Sequence, residues 1–196
     1  KFSRWIDRFG FGRQTGVQFP AEEQGIVPKL AEYSGSTMGN LPMGQGLAVT
    51  PMQMIAGYAA IADGGVLRRP QLVERVGDEP VPEPKGQRVI ESSVAEQVRT
   101  MLEGVLAPGG TASEVSVPGY TLAGKTGTAQ VAENGGYSKT KFVASFIGFA
   151  PAKDPRLLVA VIVDQPQGEI YGGSVAAPAF GKIAAFALPY LGVPSE

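Results

Sequence analysis

Leu122 to Gln130 reads LAGKTGTAQ, a run with one cation, hydroxyls at Thr126 and Thr128, and almost no bulk. On an extended chain these residue types can hold an anion. The Lys125 ammonium supplies charge, the two hydroxyls supply directed donors, and a backbone flanked by Gly124 and Gly127 stays open to approach. Period two puts Thr126 and Thr128 on one face of such a strand, so Lys125 projects from the other and must curl round the margin to meet the same ligand. The composition predicts a docking edge rather than a core strand.

The same stretch admits a second chemistry. Gly119 to Thr126, GYTLAGKT, satisfies the phosphate-loop pattern GxxxxGK[ST], and Leu157 to Asp164, LLVAVIVD, has the form of the apolar strand ending in Asp that often accompanies it. A nucleotide hydrolase of that kind needs a helix leaving the loop, so that helical N–H groups cradle phosphate. Pro118 stands just before the loop, and the residues after Lys125 are β-branched or Gly and run on to Asn134, Gly135 and Gly136. Tyr120 to Val131 therefore predicts a single strand.

The totals narrow the chemistry further. With no His and no Cys, the 196 residues exclude imidazole-based triads, thiolate nucleophiles and the usual zinc sites, and nothing calls for a metal or cofactor. Nucleophilic chemistry here needs Lys or a carboxylate as base. The 17 basic and 18 acidic residues nearly cancel, which gives no support for nucleic acid as a partner. A hydrophobic share of 43% with 18% charged suits one sizeable domain, and Gly 27 with Pro 16 implies many turns. The first residue is Lys1, and the reading expects an internal or C-terminal piece. No run reaches the ~18 apolar residues that a membrane span needs.

Several elements must position the central strand. Phe2, Trp5, Ile6 and Phe9 recur at helical spacing before Gly10, while Gly10 to Pro28 and Tyr33 to Gly46 read as irregular. Thr50 before Pro51 caps a helix with Met52, Ile55, Ala56, Ala59 and Ala60 on one stripe, ending at Gly64. Val66 to Val76 reads as extended, and Gly77 to Lys85 as a surface excursion. Ser93 and Glu96 fit a capping box, opening a helix that turns Val94, Val98, Met101, Leu102, Val105 and Leu106 to the core and ends before Pro108. Strands follow at Tyr120 to Val131, Phe142 to Phe149 and Leu157 to Asp164, joined by loops too short for a helix and hence antiparallel. An Ala-rich helix from about Val175 to Leu191 would cover one face. The fold class is α+β, with residues 1–118 a mostly helical part and 119–196 the sheet and terminal helix of one domain.

Taken together, Phe9 to Thr15 (FGFGRQT), Met43 to Met54 (MGQGLAVTPMQM), Ala123 to Gln130, Ala144 to Pro151 (ASFIGFAP) and Tyr171 to Pro178 (YGGSVAAP) resemble the C-terminal half of the transpeptidase domain of class B penicillin-binding proteins. The blocks stand in that family's order and cover nearly the whole chain. The resemblance implies a penicillin-binding, serine β-lactamase-like fold of which only the C-terminal part is present. It implies a peptidoglycan D,D-transpeptidase, at the extracytoplasmic face of the bacterial inner membrane through an N-terminal anchor outside this chain. Expected partners are the D-Ala-D-Ala stem peptide, β-lactams, other cell-wall synthesis proteins of division or elongation, and the upstream half of the polypeptide.

By the same resemblance Lys125 faces the substrate's terminal carboxylate and the Thr128 backbone N–H forms part of the oxyanion hole. Thr126, Gly127, Thr128, Tyr171 and Gly172 border the substrate. The family's SxxK nucleophile and its Ser-x-Asn element belong upstream, so the 196 residues alone are expected to be inactive. Ser138 and Lys141 spell SxxK, but after the Lys-Thr-Gly run and beside a Gly-Gly loop, where the helical turn that mechanism needs is not expected; Ser138 reads as a surface loop residue. A non-catalytic penicillin-binding sensor or an inactive homologue would carry the same blocks.

Overall fold

The computed structural model describes residues 1–133 and 135–196, arranged as two compact units, Lys1–Glu91 and Ser92–Glu196. Asn134, placed at the sequence level in the loop after the central strand, lies outside the described residues.

In the first unit, helix α1 spans Phe2–Arg8 and ends close to Gly10 as its spacing predicts. Only Ile6 of its stripe is buried; Trp5 stays exposed with the Arg8 guanidinium over its ring at 5.2 Å. A short helical turn at Leu30–Glu32 lies between the two stretches read as irregular, and the second of them carries another at Leu41–Met43 and the helix α2 at Thr37–Asn40. Helix α3, Pro51–Ala62, opens on a reciprocal cap: Gln53 N donates to the Thr50 hydroxyl at 3.2 Å and Thr50 N to Gln53 Oε1 at 2.9 Å.

Gln53 is 2% exposed, and its amide nitrogen donates to the carbonyls of Arg13 and Gln24, so a polar side chain inside the apolar stripe is fully engaged. Strands β1 (Val66–Leu67) and β4 (Gln87–Arg88) pair antiparallel, as do β2 (Arg75–Val76) and β3 (Glu79–Pro80). The predicted extended run is thus paired only at its ends.

The second unit opens with α4, Ser92–Glu103, which packs against the sheet. Its inward residues are Ala95 and Leu102, whereas Met101 is 70% and Val94 43% exposed. The expected stripe is therefore rotated: the helix ends at Glu103, and Val105 and Leu106 reach the core from the turns beyond it.

The sheet is three-stranded and antiparallel in the order β5 (Ala123–Glu133), β6 (Gly136–Ala150), β7 (Leu157–Asp164), with a register shift between Gln130 and Ala132. Strand β6 is longer than predicted, running back through Ser138 to Gly136. Across the sheet Thr126 pairs with Phe146 and Phe146 with Val161, which sets these three side chains on one face. That face carries the core: Phe146, Phe180 and Leu188 are fully buried, and the Phe146 and Phe180 rings meet at 4.8 Å. Burial of each such side chain stabilises by about 1.5–3 kcal/mol.

The predicted terminal helix forms as α6 (Ala177–Tyr190), with Pro178 in its first turn, and a separate short helix, α5 (Gly172–Val175), precedes it. Ala176, Ala177 and Ala184 are fully buried, and these small residues let the helix lie close on the sheet. Beyond α6 the tail folds back. Tyr120 Oη donates to the Val193 carbonyl at 2.7 Å, and Thr121 donates its N–H and hydroxyl to the Glu196 carboxylate, fixing the entry to β5. Among the described residues no helix is long and apolar enough to cross a membrane.

Candidate anion site on strand β5

Strand β5 is an outer strand, paired on one side by β6 and by no strand on the other among the described residues. It starts buried, with Ala123 and Gly124 inside the core and the Phe146 ring filling the space that a side chain at Gly124 would need. The open margin predicted for the whole run therefore begins at Lys125. There the side chain does curl round: Lys125 Nζ lies 3.0 Å from the Thr126 carbonyl and 3.3 Å from Thr126 Oγ1, on the threonine side of the strand.

Both threonine hydroxyls already accept hydrogen bonds from within the protein. Thr126 Oγ1 accepts from Lys125 and also lies 2.8 Å from Thr111 Oγ1; Thr128 Oγ1 accepts from Gly172 N at 3.1 Å. A hydroxyl has one hydrogen and two acceptor lone pairs. Each hydroxyl accepts one internal donor and keeps its hydrogen to give, so this margin can offer donors and a positive charge to an acceptor-only anion.

The first turn of α5 closes over this part of the strand. Gly172 is buried, and a Cβ there would stand 2.2 Å from the Ser145 carbonyl oxygen and 2.5 Å from that of Gly127. Gly172 gives its N–H to Thr128, so what it does for a ligand it does through that hydroxyl. Gly127 faces Ser145, whose Oγ would lie 2.4 Å from a Cβ at that position. Tyr171, the residue before α5, is 62% exposed. The predicted residues Lys125, Thr126, Gly127, Thr128, Tyr171 and Gly172 thus lie on β5 and the turn packed against it. Sequence reasoning passed over Thr111, which follows Gly109 and Gly110; a hydroxyl next to two glycines was the available signal.

One alternative is excluded and one expectation is corrected. The phosphate-loop reading of Gly119 to Thr126 fails, because Lys125 is the third residue of a strand that continues to Glu133 and no helix leaves it. Leu157–Asp164 runs antiparallel to its neighbour, unlike a nucleotide-binding strand pair. Ser138 is not on a surface loop: it is 3% exposed inside β6, where its Oγ accepts from Thr140 N and Lys141 N. Lys141 Nζ bonds Glu133 at 2.9 Å instead. The Lys141 ammonium, with help from the Ser138 hydroxyl, holds the Glu133 carboxyl below its ordinary value. A strand with its lysine committed to a carboxylate cannot act as a nucleophile and base on one helical turn. No group of three or more metal-ligating side chains that could hold an ion occurs among the described residues.

Residues 1–185 match the penicillin-binding protein transpeptidase domain. Stage V sporulation protein D of Bacillus subtilis is 41% identical over 98% of this chain and 31% of that protein. The peptidoglycan D,D-transpeptidase FtsI of Escherichia coli is 38% identical over 90% of this chain and 29% of that protein. The chain spans about a third of the length of the curated relatives it matches. Among solved structures, penicillin-binding protein 3 of Mycobacterium tuberculosis complexed with ampicillin superposes with a TM-score of 0.90 at 36% identity, covering 100% of this chain and 46% of that one. The transpeptidase domain of Burkholderia pseudomallei penicillin-binding protein 3 gives 0.87 at 36% identity, covering 99% and 58%. The chain belongs to the penicillin-binding protein transpeptidase domain family.

Proposed function

We propose that this chain forms the carboxylate-binding side of a peptidoglycan D,D-transpeptidase, which cross-links stem peptides through a serine acyl-enzyme and is itself acylated by β-lactams. The observation that carries the reading is the exposed margin of β5, where one ammonium and two hydroxyls with engaged lone pairs converge on a single stretch of edge strand. The terminal carboxylate of D-Ala-D-Ala, or that of a penicillin, is an acceptor-only anion, and an extended peptide laid along β5 would gain backbone hydrogen bonds as an added strand. Family membership and the names of the relatives support the same assignment.

In this reading Lys125 attracts and orients the carboxylate, Thr126 and Thr128 donate hydroxyls to it, and Gly127 keeps the approach open. The Thr128 backbone N–H donates to the oxyanion of the tetrahedral intermediate, a role worth about 3–4 kcal/mol when such a donor is lost. Tyr171 borders the bound peptide. The nucleophilic serine and its lysine come from residues of the polypeptide outside these 196, as does an N-terminal membrane anchor holding the domain at the extracytoplasmic face. Other cell-wall synthesis proteins are its partners.

The test is labelling of the full-length protein with a fluorescent penicillin, followed by deacylation and by cross-linking of a D-Ala-D-Ala peptide. Covalent labelling with transfer to an acceptor amine is expected. Absence of any adduct would overturn the reading, and an adduct without cross-linking would assign a penicillin sensor instead.

A further inference from the structure

We infer that Thr111 is a positioning residue for anion recognition, acting through Thr126; the inference rests on the carboxylate-binding role proposed for β5. Thr111 Oγ1 lies 2.8 Å from Thr126 Oγ1, and the pair is reached across a sequence separation of 15 residues, so the fold rather than local chain geometry brings the hydroxyls together. In such a pair one O–H is donated to the other oxygen and one is left over. Lys125 Nζ already donates to Thr126 Oγ1. When Thr111 donates as well, both lone pairs of Thr126 are filled and its own hydrogen has only the ligand to go to. An anion bound beside Thr126 selects that arrangement, because the opposite one would aim a lone pair at a negative charge.

The donor is held in place from both sides. Ala112, the next residue, is 3% exposed and its N–H donates to the Val105 carbonyl at 2.9 Å. On the other side the Gly173 backbone lies flat against Thr111, where a Cβ would stand 2.1 Å from the Thr111 carbonyl oxygen. Thr111 can therefore neither retreat nor rotate its backbone away from Thr126 without unpacking α5. A rigid second hydroxyl behind the first is a supporting contact of the kind that fixes donor direction in a binding site.

The experiment compares Thr111→Val and Thr111→Ser with wild type in the full-length protein, measuring acylation by benzylpenicillin and by its carboxylate methyl ester. Valine keeps the shape and removes the hydroxyl. Thr111→Val should slow acylation by the acid by about three- to tenfold, the scale of one lost hydrogen bond between neutral groups. It should leave the slower reaction with the neutral ester nearly unchanged, and Thr111→Ser should restore most of the rate with the acid. Equal losses with acid and ester, a wild-type rate for Thr111→Val, or failure of serine to restore it would each overturn the inference. If wild type itself forms no adduct with benzylpenicillin, the carboxylate-binding reading falls and takes this role with it; if wild type reacts and Thr111→Val reacts equally, only the role of Thr111 falls.

Discussion

The Gly172 backbone N–H donates to the Thr128 hydroxyl across 3.1 Å, tying the first turn after the sheet to the middle of its outer strand. The bond joins residues 44 apart in sequence and lets one side chain serve two purposes: a lone pair holds α5 and the hydroxyl hydrogen is left to donate. A change at either end therefore disturbs the site and the packing together.

Gly172→Ala tests the packing half. The added carbon would stand 2.2 Å from the Ser145 carbonyl oxygen and 2.5 Å from that of Gly127, both backbone atoms of a paired sheet that cannot step aside. Overpacking of this kind costs about 1–3 kcal/mol. A lowered midpoint in urea denaturation of the full-length protein is expected, and an unchanged midpoint would show that α5 does not press on the strand.

Lys125→Ala and Thr128→Ala separate charge from hydroxyl. At ~4 Å and an effective dielectric of ~20 an ion pair contributes about 4 kcal/mol before desolvation, which bounds the loss from Lys125→Ala at several hundredfold in penicillin acylation. Thr128→Ala keeps the backbone N–H and gives up one hydroxyl, so it should slow acylation far less, while also leaving Gly172 N without its acceptor. Stopped-flow acylation rates check the order, and equal losses would contradict the division of roles.

Much of this arrangement was legible in the residues. The alternation of Lys125 with Thr126 and Thr128, and the short links between the three sheet strands, dictate the antiparallel edge whatever the surroundings. The buried start of β5 was not legible, because the reason for Gly124 is the Phe146 ring across the sheet, and a single strand does not announce its partner. Likewise Met101 and Leu102 are adjacent, equally apolar and one helical step apart; which of them turns inward is decided by the sheet behind α4 and not by their spacing. Thr111 was missed for the same reason, since its partner lies on another element.

That pair gives its own prediction. Leu102→Ala, at a site 9% exposed, should destabilise by about 2–5 kcal/mol, whereas Met101→Ala, 70% exposed, should stay within about 0.5 kcal/mol of wild type. Urea denaturation of both variants decides it, and equally large losses would restore the stripe expected from sequence, which turned both residues inward.

In the first unit the Glu22 carboxylate accepts from the Thr15 N–H at 2.8 Å, the Thr15 hydroxyl at 2.6 Å and the Gly16 N–H at 2.9 Å. Desolvation pushes its carboxyl up, but the bonds from the Thr15 hydroxyl, the Thr15 N–H and the Gly16 N–H together bring it below the ordinary value of 4.5. A carboxyl depressed in the folded state adds stability that is fully present above its unfolded value and is lost as the pH falls through the lower, folded one. Glu22→Gln should therefore flatten the pH dependence of stability below about pH 4.5 while lowering stability at neutral pH. Denaturation midpoints from pH 3 to pH 7 measure this, and an unchanged slope in the variant would show that these hydrogen bonds carry no linkage.

The most direct measurement is a crystal structure of the full-length protein acylated by benzylpenicillin. The drug's carboxylate should lie within hydrogen-bond distance of the Thr126 and Thr128 hydroxyls and close to Lys125 Nζ, with its acyl carbon on a serine from outside residues 1–196. A carboxylate pointing away from β5 into solvent, with Lys125 uninvolved, would contradict the account.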